Sequence, residues 1–326
     1  MEETKKGGEL GGEDIQFVHE TAEKLIQNVG QVIVGKREAV TLVVVALLCE
    51  GHVIIEDVPG VGKTMLAKAV ARSLDCVFKR IQFTPDLLPS DVTGLNYFNQ
   101  KSEQFEFLPG PIMANVVLAD EINRATPRTQ SCLLECMQEH QITIDAETKP
   151  LPRPFLVLAT QNPVEQEGTF PLPEAQLDRF LLRMKQGYPS EEEEGDIVLR
   201  FERKNPLDDL QSVVSGEDLL KCRELCRRVY VEDSVRDYIV SLVRATREHK
   251  AVRLGASPRA TQGLYHAAQA LAAIQGRAFV VPDDVKTLVG PVLAHRLVVK
   301  SETRLRGRER DEVIREILEQ VHAPVE

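Results

Sequence analysis

Two short stretches of this chain carry residue types spaced for phosphate chemistry. The first is Pro59-Gly60-Val61-Gly62-Lys63-Thr64, set between a β-rich run, Val53–Ile55, and a helical stretch that starts at Met65 and runs to Ser73. Glycines at such a junction let backbone N–H groups curl around phosphate oxygens, and a helix N-terminus adds partial positive charge. Lys63 would reach the β- and γ-phosphates, and the Thr64 hydroxyl would ligate Mg²⁺. The full phosphate-loop pattern asks for a glycine at position 57, where this chain has Asp57. The second stretch, Val116-Val117-Leu118-Ala119-Asp120-Glu121, is an apolar strand ending in two carboxylates. Buried acids are costly unless they face a ligand or a cation. Asp120 would hold Mg²⁺, directly or through water, while Glu121 would orient and deprotonate an attacking water. The adjacent acid favours water over a hydroxyl nucleophile, so the chemistry reads as hydrolysis.

The elements that must position these residues alternate. An amphipathic helix is predicted over Phe17–Val29 and a second helix over about Glu38–Cys49. Strands are predicted at Val53–Ile55, Val77–Phe83, Val116–Ala119 and Phe155–Ala159, with helical stretches between most of them. Such alternation predicts an α/β fold, an αβα sandwich around a mainly parallel sheet. Leu95–Phe98 with Phe105–Phe107, and Ile142–Ile144 with Leu151, read as two inserted hairpins. After about Leu210 only helices are expected: Glu217–Val229, Ser234–His249, Ser257–Gln275, Asp283–Leu297 and Asp311–His322. Ser257-Pro258 has the form of a capped helix start. The expected division is an N-terminal tail and helix over 1–30, a nucleotide-binding domain over 31–187, a linker over 188–212 and an all-helical lid over 213–326.

Composition sets the class around these motifs. The chain has 326 residues, 43% of them hydrophobic, and a formal net charge of -10. That size suits two domains, and the acid excess argues against general binding to nucleic acid. Tryptophan is absent and aromatics make up 5%, which leaves few platforms for stacking bases. The longest apolar run, Ala39–Cys49, is about half of what a bilayer span needs and reads as a buried helix. With no apolar stretch behind Lys5 and Lys6, the expectation is a cytoplasmic protein. Cysteine pairs Cys132/Cys136 and Cys222/Cys226 have helical spacing but no histidine nearby, so they read as small apolar residues in reduced helices.

Taken together, four stretches resemble the AAA+ ATPases and, within them, the MoxR family: Glu56 to Thr64, Leu118 to Ala125, Ala159-Thr160-Gln161-Asn162-Pro163, and Leu172 to Phe180. The likeness runs from about Val32 into the C-terminal helices, and Asp57 is usual for MoxR-like chains. This resemblance implies that Asn162 is the sensor 1 residue, holding the attacking water against the γ-phosphate. It implies that Arg179 is the arginine finger acting on ATP in a neighbouring subunit, with Arg124 a second candidate across that interface. Arg259 would be sensor 2, contacting phosphate from the lid. Guanidinium suits both roles through permanent charge and paired donors. Without the family, each arginine reads as a surface ion-pair partner. The hairpins resemble the helix-2 and pre-sensor-1 inserts of this branch, which face a central pore or a client.

The resemblance further implies bound ATP and Mg²⁺, a homo-oligomeric ring, most simply a hexamer, protein clients to remodel or activate, and a partner with a von Willebrand factor A domain. A nucleotide-dependent switch with little hydrolysis is an alternative. So is a chelatase-like or DNA-remodelling motor of the same branch, the DNA version being weakened by the acidic balance. A GTPase is disfavoured because no N-K-x-D motif follows the loop. Two charge clusters read as solvated helix starts: Arg304, Arg306, Arg308 and Arg310, interleaved with acids, and the run Glu191–Glu194.

Overall fold

The structure, a computed structural model, describes residues 10–162, 168–302 and 309–324. Lys5, Lys6, Pro163, Arg304, Arg306 and Arg308, all named above, lie outside that range. The chain divides into two units. One comprises 25–180 and 184–216; the other comprises 1–24, 181–183 and 217–326.

In the first unit, apolar strands alternate with helices as the pattern requires. Helix α1 (Gly12–Gly30) enters it, followed by α2 (Arg37–Leu48), β1 (Val53–Glu56), α3 (Lys63–Ser73), β2 (Phe78–Gln82), α4 (Pro89–Thr93), β3 (Gly94–Asn99), β4 (Gln104–Pro109) and β5 (Val116–Asp120). Then come α5 (Pro127–Glu139), β6 (Gln141–Ile144), β7 (Glu147–Pro150), β8 (Leu156–Gln161), α6 (Glu174–Leu177), α7 (Glu191–Phe201) and α8 (Pro206–Asp209), while β9 (Leu182–Met184) falls mostly in the segment 181–183 that the division assigns to the other unit. The sheet order is β2-β5-β8-β1-β9. Strands β1, β8, β5 and β2 pair in parallel, with Glu56 opposite Gln161 and Gln82 opposite Asp120. That register brings the ends of these strands to one edge, where the phosphate loop begins.

Strand residues such as Ile54, Val117, Ala119 and Val157 are buried with Leu133, Leu134 and Phe180 in one hydrophobic cluster. The apolar run of α2 is buried over Val43–Leu48, as its composition requires. No helix of the described residues is long and apolar enough to cross a membrane.

Both hairpins form as separate two-stranded antiparallel pairs, β3–β4 and β6–β7. The second turns more tightly than expected. Asp145 and Ala146 take positive φ, so the return strand is Glu147–Pro150 and Leu151 lies beyond it. Asn96 of the first hairpin donates from Nδ2 to Asp145 Oδ2 of the second at 3.0 Å.

The structure departs from the sequence reading in the sheet and in the segment after it. The sheet gains a fifth strand, β9, beyond the four expected; at three residues it is too short to show a period. The segment 188–212 is not a plain linker. It holds α7 and α8, and Arg72 near the end of α3 donates to the carbonyls of Leu210 and Asp208 at 2.8 and 2.9 Å. Those bonds fasten it to the α/β unit. Helix α7 starts in a capping box, with Glu193 N–H donating to Ser190 Oγ and Ser190 N–H to Glu193 Oε2. The run Glu191–Glu194 forms its first turn, and no residue of the helix is buried.

The second unit holds α9 (Gly216–Cys226), α10 (Asp233–Glu248), β10 (Val252–Leu254), α11 (Pro258–Ile274), α12 (Pro282–Leu293), β11 (Val298–Val299) and α13 (Arg310–Gln320). It is therefore not wholly helical, since β10 and β11 pair antiparallel. Ser257 occupies the position before α11, but its side chain makes no capping hydrogen bond there, leaving Pro258 to set the start. All six cysteines are free thiols, and no group of three metal-ligating side chains gathers among the described residues.

Candidate active site

The loop between β1 and α3 is built by backbone conformation. Gly60 and Gly62 take φ of 87° and 91°, and a Cβ at either would meet nothing within 4 Å. Their requirement for glycine is thus dihedral, not spatial. Helix α3 starts at Lys63, so Lys63, Thr64 and Met65 all lie in its first turn, after Pro59, Gly60, Val61 and Gly62. No side chain caps this helix and no acid lies in its first turn. Its leading N–H groups are left for an anion.

Asp57, the departure from the general pattern, has a structural function. Its buried carboxylate accepts from Val58 N–H at 2.9 Å and, through the other oxygen, from Gln186 and Gly187 N–H at 2.7 Å each. A glycine could make none of these bonds. Asp57 also supplies a carbonyl to Lys63 Nζ at 2.9 Å, and Val58 a second at 3.2 Å. Burial pushes the Lys63 ammonium below the usual lysine range, while Asp120, Asp57 and Glu121 pull it back up. Lys63 therefore lies within electrostatic reach of both acids at the end of β5.

Those acids are oriented by a residue that the sequence offers only as one letter of the stretch from Ala159 to Pro163, with no role attached. Thr160, buried in β8, donates its hydroxyl to Asp120 Oδ1 at 2.6 Å and accepts the Glu121 N–H at 2.8 Å. One hydroxyl thus fixes both neighbours. Glu121 has φ of 58°, left-handed backbone that costs a non-glycine residue ~1 kcal/mol or more. The reversal turns the chain sharply between the two carboxylates. Gln82 donates to Glu121 Oε2 at 2.9 Å, and Arg124 pairs with the same oxygen at 3.2 Å.

Asp120 has its own cation. Arg80 of β2 donates from Nε and Nη2 to Asp120 Oδ2 at 3.0 and 2.6 Å, and Nη2 also donates to Gln82 Oε1 at 2.6 Å. Arg80 and Gln82 alternate with buried Ile81, a period-2 signal that marks their shared face but not their targets.

Asn162 lies immediately past β8 and is buried. Gln130 of α5, fully buried, donates from Nε2 to the carbonyls of Ile122, Ala125 and Phe170. It clamps the turn after Glu121 to the segment that leads towards Arg179. Arg179 follows α6 and is half-buried. Arg259 is exposed at the second position of α11, in the other unit. Among the described residues neither guanidinium has an ion pair, so the ordinary surface ion-pair reading finds no partner. Arg124, by contrast, is paired with Glu121.

The donor set fits Mg²⁺ with nucleotide. Thr64 and Asp120 offer hard oxygens, and two protein ligands are what a cation needs when phosphate and water supply the rest.

Comparison with known proteins gives the family of the chain. A family model described as the ATPase family associated with various cellular activities (AAA) matches residues 52–182, and an AAA lid domain model matches 244–317. The chain is 49% identical to the protein YeaC of Bacillus subtilis, covering 95% of this chain and 97% of that one. It is 43% identical to Chaperone MoxR1 of Mycobacterium tuberculosis, covering 96% and 85%. A crystal structure from Cytophaga hutchinsonii, described as a candidate ATPase, superposes with a TM-score of 0.90 at 40% identity, covering 96% and 98%.

Proposed function

The chain belongs to the MoxR family of AAA+ ATPases, and from that premise we propose that it is a Mg²⁺-dependent ATP hydrolase working as a ring on protein clients. The observation that carries the reading is the joint held by Thr160. It presents Asp120 and Glu121 in fixed orientations beside an uncapped helix start bearing Lys63 and Thr64. The phosphate loop would take the β- and γ-phosphates on backbone N–H groups and Lys63. Thr64 and Asp120 would hold Mg²⁺, which when bound neutralises charge developing on the phosphoryl oxygens. Glu121 would take the proton of the attacking water, and Asn162 would hold that water against the γ-phosphate. Arg80 and Arg124 are engaged with the carboxylates of Asp120 and Glu121, so this scheme takes its transition-state guanidinium from elsewhere.

Arg179 has the character to supply it. The residue is half-buried, has no ion pair among the described residues, and follows a segment clamped by Gln130 at Phe170. This supports catalysis across a subunit interface, hence a ring, most simply a hexamer. Arg259 would contact phosphate from the lid. The chaperone named among the relatives supports clients that are proteins, and a von Willebrand factor A domain partner follows from the family alone. A cytoplasmic setting is part of the same reading.

The test is ATP turnover with Glu121→Gln. The variant should bind ATP with near-normal affinity and lose turnover by about a hundredfold or more. Normal turnover would remove Glu121 as the base.

A further inference from the structure

Arg80 has no part in the scheme above, yet it touches both halves of it. Its guanidinium grips Asp120 Oδ2 through two N–H groups and holds Gln82 Oε1 through one of them. Gln82 in turn donates its amide hydrogen to Glu121 Oε2. One cation therefore ties the carboxylate meant for the metal to the carboxylate meant for water. Thr160 already engages Oδ1 of Asp120, so Oδ2 is the oxygen left to face a cation, and Arg80 neutralises it.

We propose that Arg80 is a positioning residue that sets the metal threshold of this site: its charge opposes a divalent cation at Asp120, and its release from Asp120 accompanies loading. This rests on the reading of Asp120 as the metal acid. Electrostatics sets the size of the effect. Arg80 is about half exposed and Asp120 much less so, and the water-like dielectric sets the floor of the effect. In such a medium a unit positive charge about 6 Å from a dication opposes its binding about tenfold. A merely structural arginine would act the other way, because removing it would loosen Asp120 and weaken the metal.

The full chain is loaded with a fluorescent non-hydrolysable ATP analogue and titrated with Mn²⁺, following free Mn²⁺ by electron paramagnetic resonance. Arg80→Gln should bind Mn²⁺ at least about tenfold more tightly than the parent. Arg80→Lys, which keeps the charge, should stay within about twofold of it. Asp120→Asn should abolish the gain when combined with Arg80→Gln. Unchanged or weaker Mn²⁺ binding in Arg80→Gln, or equal tightening in both arginine variants, overturns the proposal while analogue binding leaves the nucleotide site standing. Failure of the parent to bind the analogue at all overturns both.

Discussion

Asp57→Gly restores the glycine of the general phosphate-loop pattern, and the structure says it should damage the protein. Three N–H donors lose their acceptor: Val58, Gln186 and Gly187. Hydrogen bonds to a charged group contribute about 1.5–3 kcal/mol each, and donors left buried without a partner carry a penalty. The three share one carboxylate and are not additive, and water can reach part of the gap. We therefore expect a net loss of about 3 kcal/mol, with a further ~0.5–1 kcal/mol from the entropy of the new glycine. In a domain of roughly this size a loss of about 3 kcal/mol lowers Tm by about 6–12 °C. If half of that loss is felt as loop disorder that nucleotide must reverse, ATP affinity falls about tenfold. Differential scanning calorimetry and titration with a fluorescent ATP analogue measure the two effects. A Tm within about 2 °C of the parent (taking ~1 kcal/mol as the smallest loss that matters), or binding as tight or tighter, would refute the assignment of Asp57 as the anchor of the loop.

Three other outcomes are expected. Thr160→Val keeps shape but removes the hydroxyl that joins Asp120 to Glu121, so turnover should fall about ten- to a hundredfold with ATP affinity little changed; single-turnover assays separate the two. Arg179→Ala should keep ATP binding and lose hydrolysis, and mixing it with Glu121→Gln should restore some turnover if the finger acts between subunits; activity independent of both Arg179 and protein concentration would end that idea. Among the thiols, a hydrogen bond from Cys136 holds Cys132 below the usual range, while burial pushes Cys76 and Cys222 up to about 11. Cys132 is therefore more ionised near neutral pH than Cys76 or Cys222, so iodoacetamide should label it before either of them, read by peptide mass spectrometry.

What could be read from the chain alone divides along physical lines. The phosphate loop and the acid pair are contiguous, so their chemistry shows in a few adjacent letters. The apolar strands show because burial imposes composition. The role of Thr160 stays unread because a threonine is ordinary in a strand, and only the β5–β8 register puts its hydroxyl against Asp120. Arg80 and Gln82 are likewise unreadable, since an edge strand alternates polar residues whatever they touch. Strands β9, β10 and β11 are too short for periodicity to register, and their pairing is a tertiary fact. Helix α7 lacks any buried residue, so no apolar stripe distinguishes it from a solvated linker.

The contact between the two hairpins has a mechanical meaning. Helix α5 starts three residues after Arg124 and leads directly into β6, and Gln130 welds its first turns to the turn that follows Glu121. Its thirteen residues make a shaft of about 20 Å. A tilt of about 5° at the end that senses the nucleotide would carry the far end of such a shaft about 2 Å. Asp145, held by Asn96, would drag the first hairpin along with the second. Small displacements at phosphate would then emerge as one coordinated stroke at a pair of tips, one of which bears exposed Phe98 and Phe105.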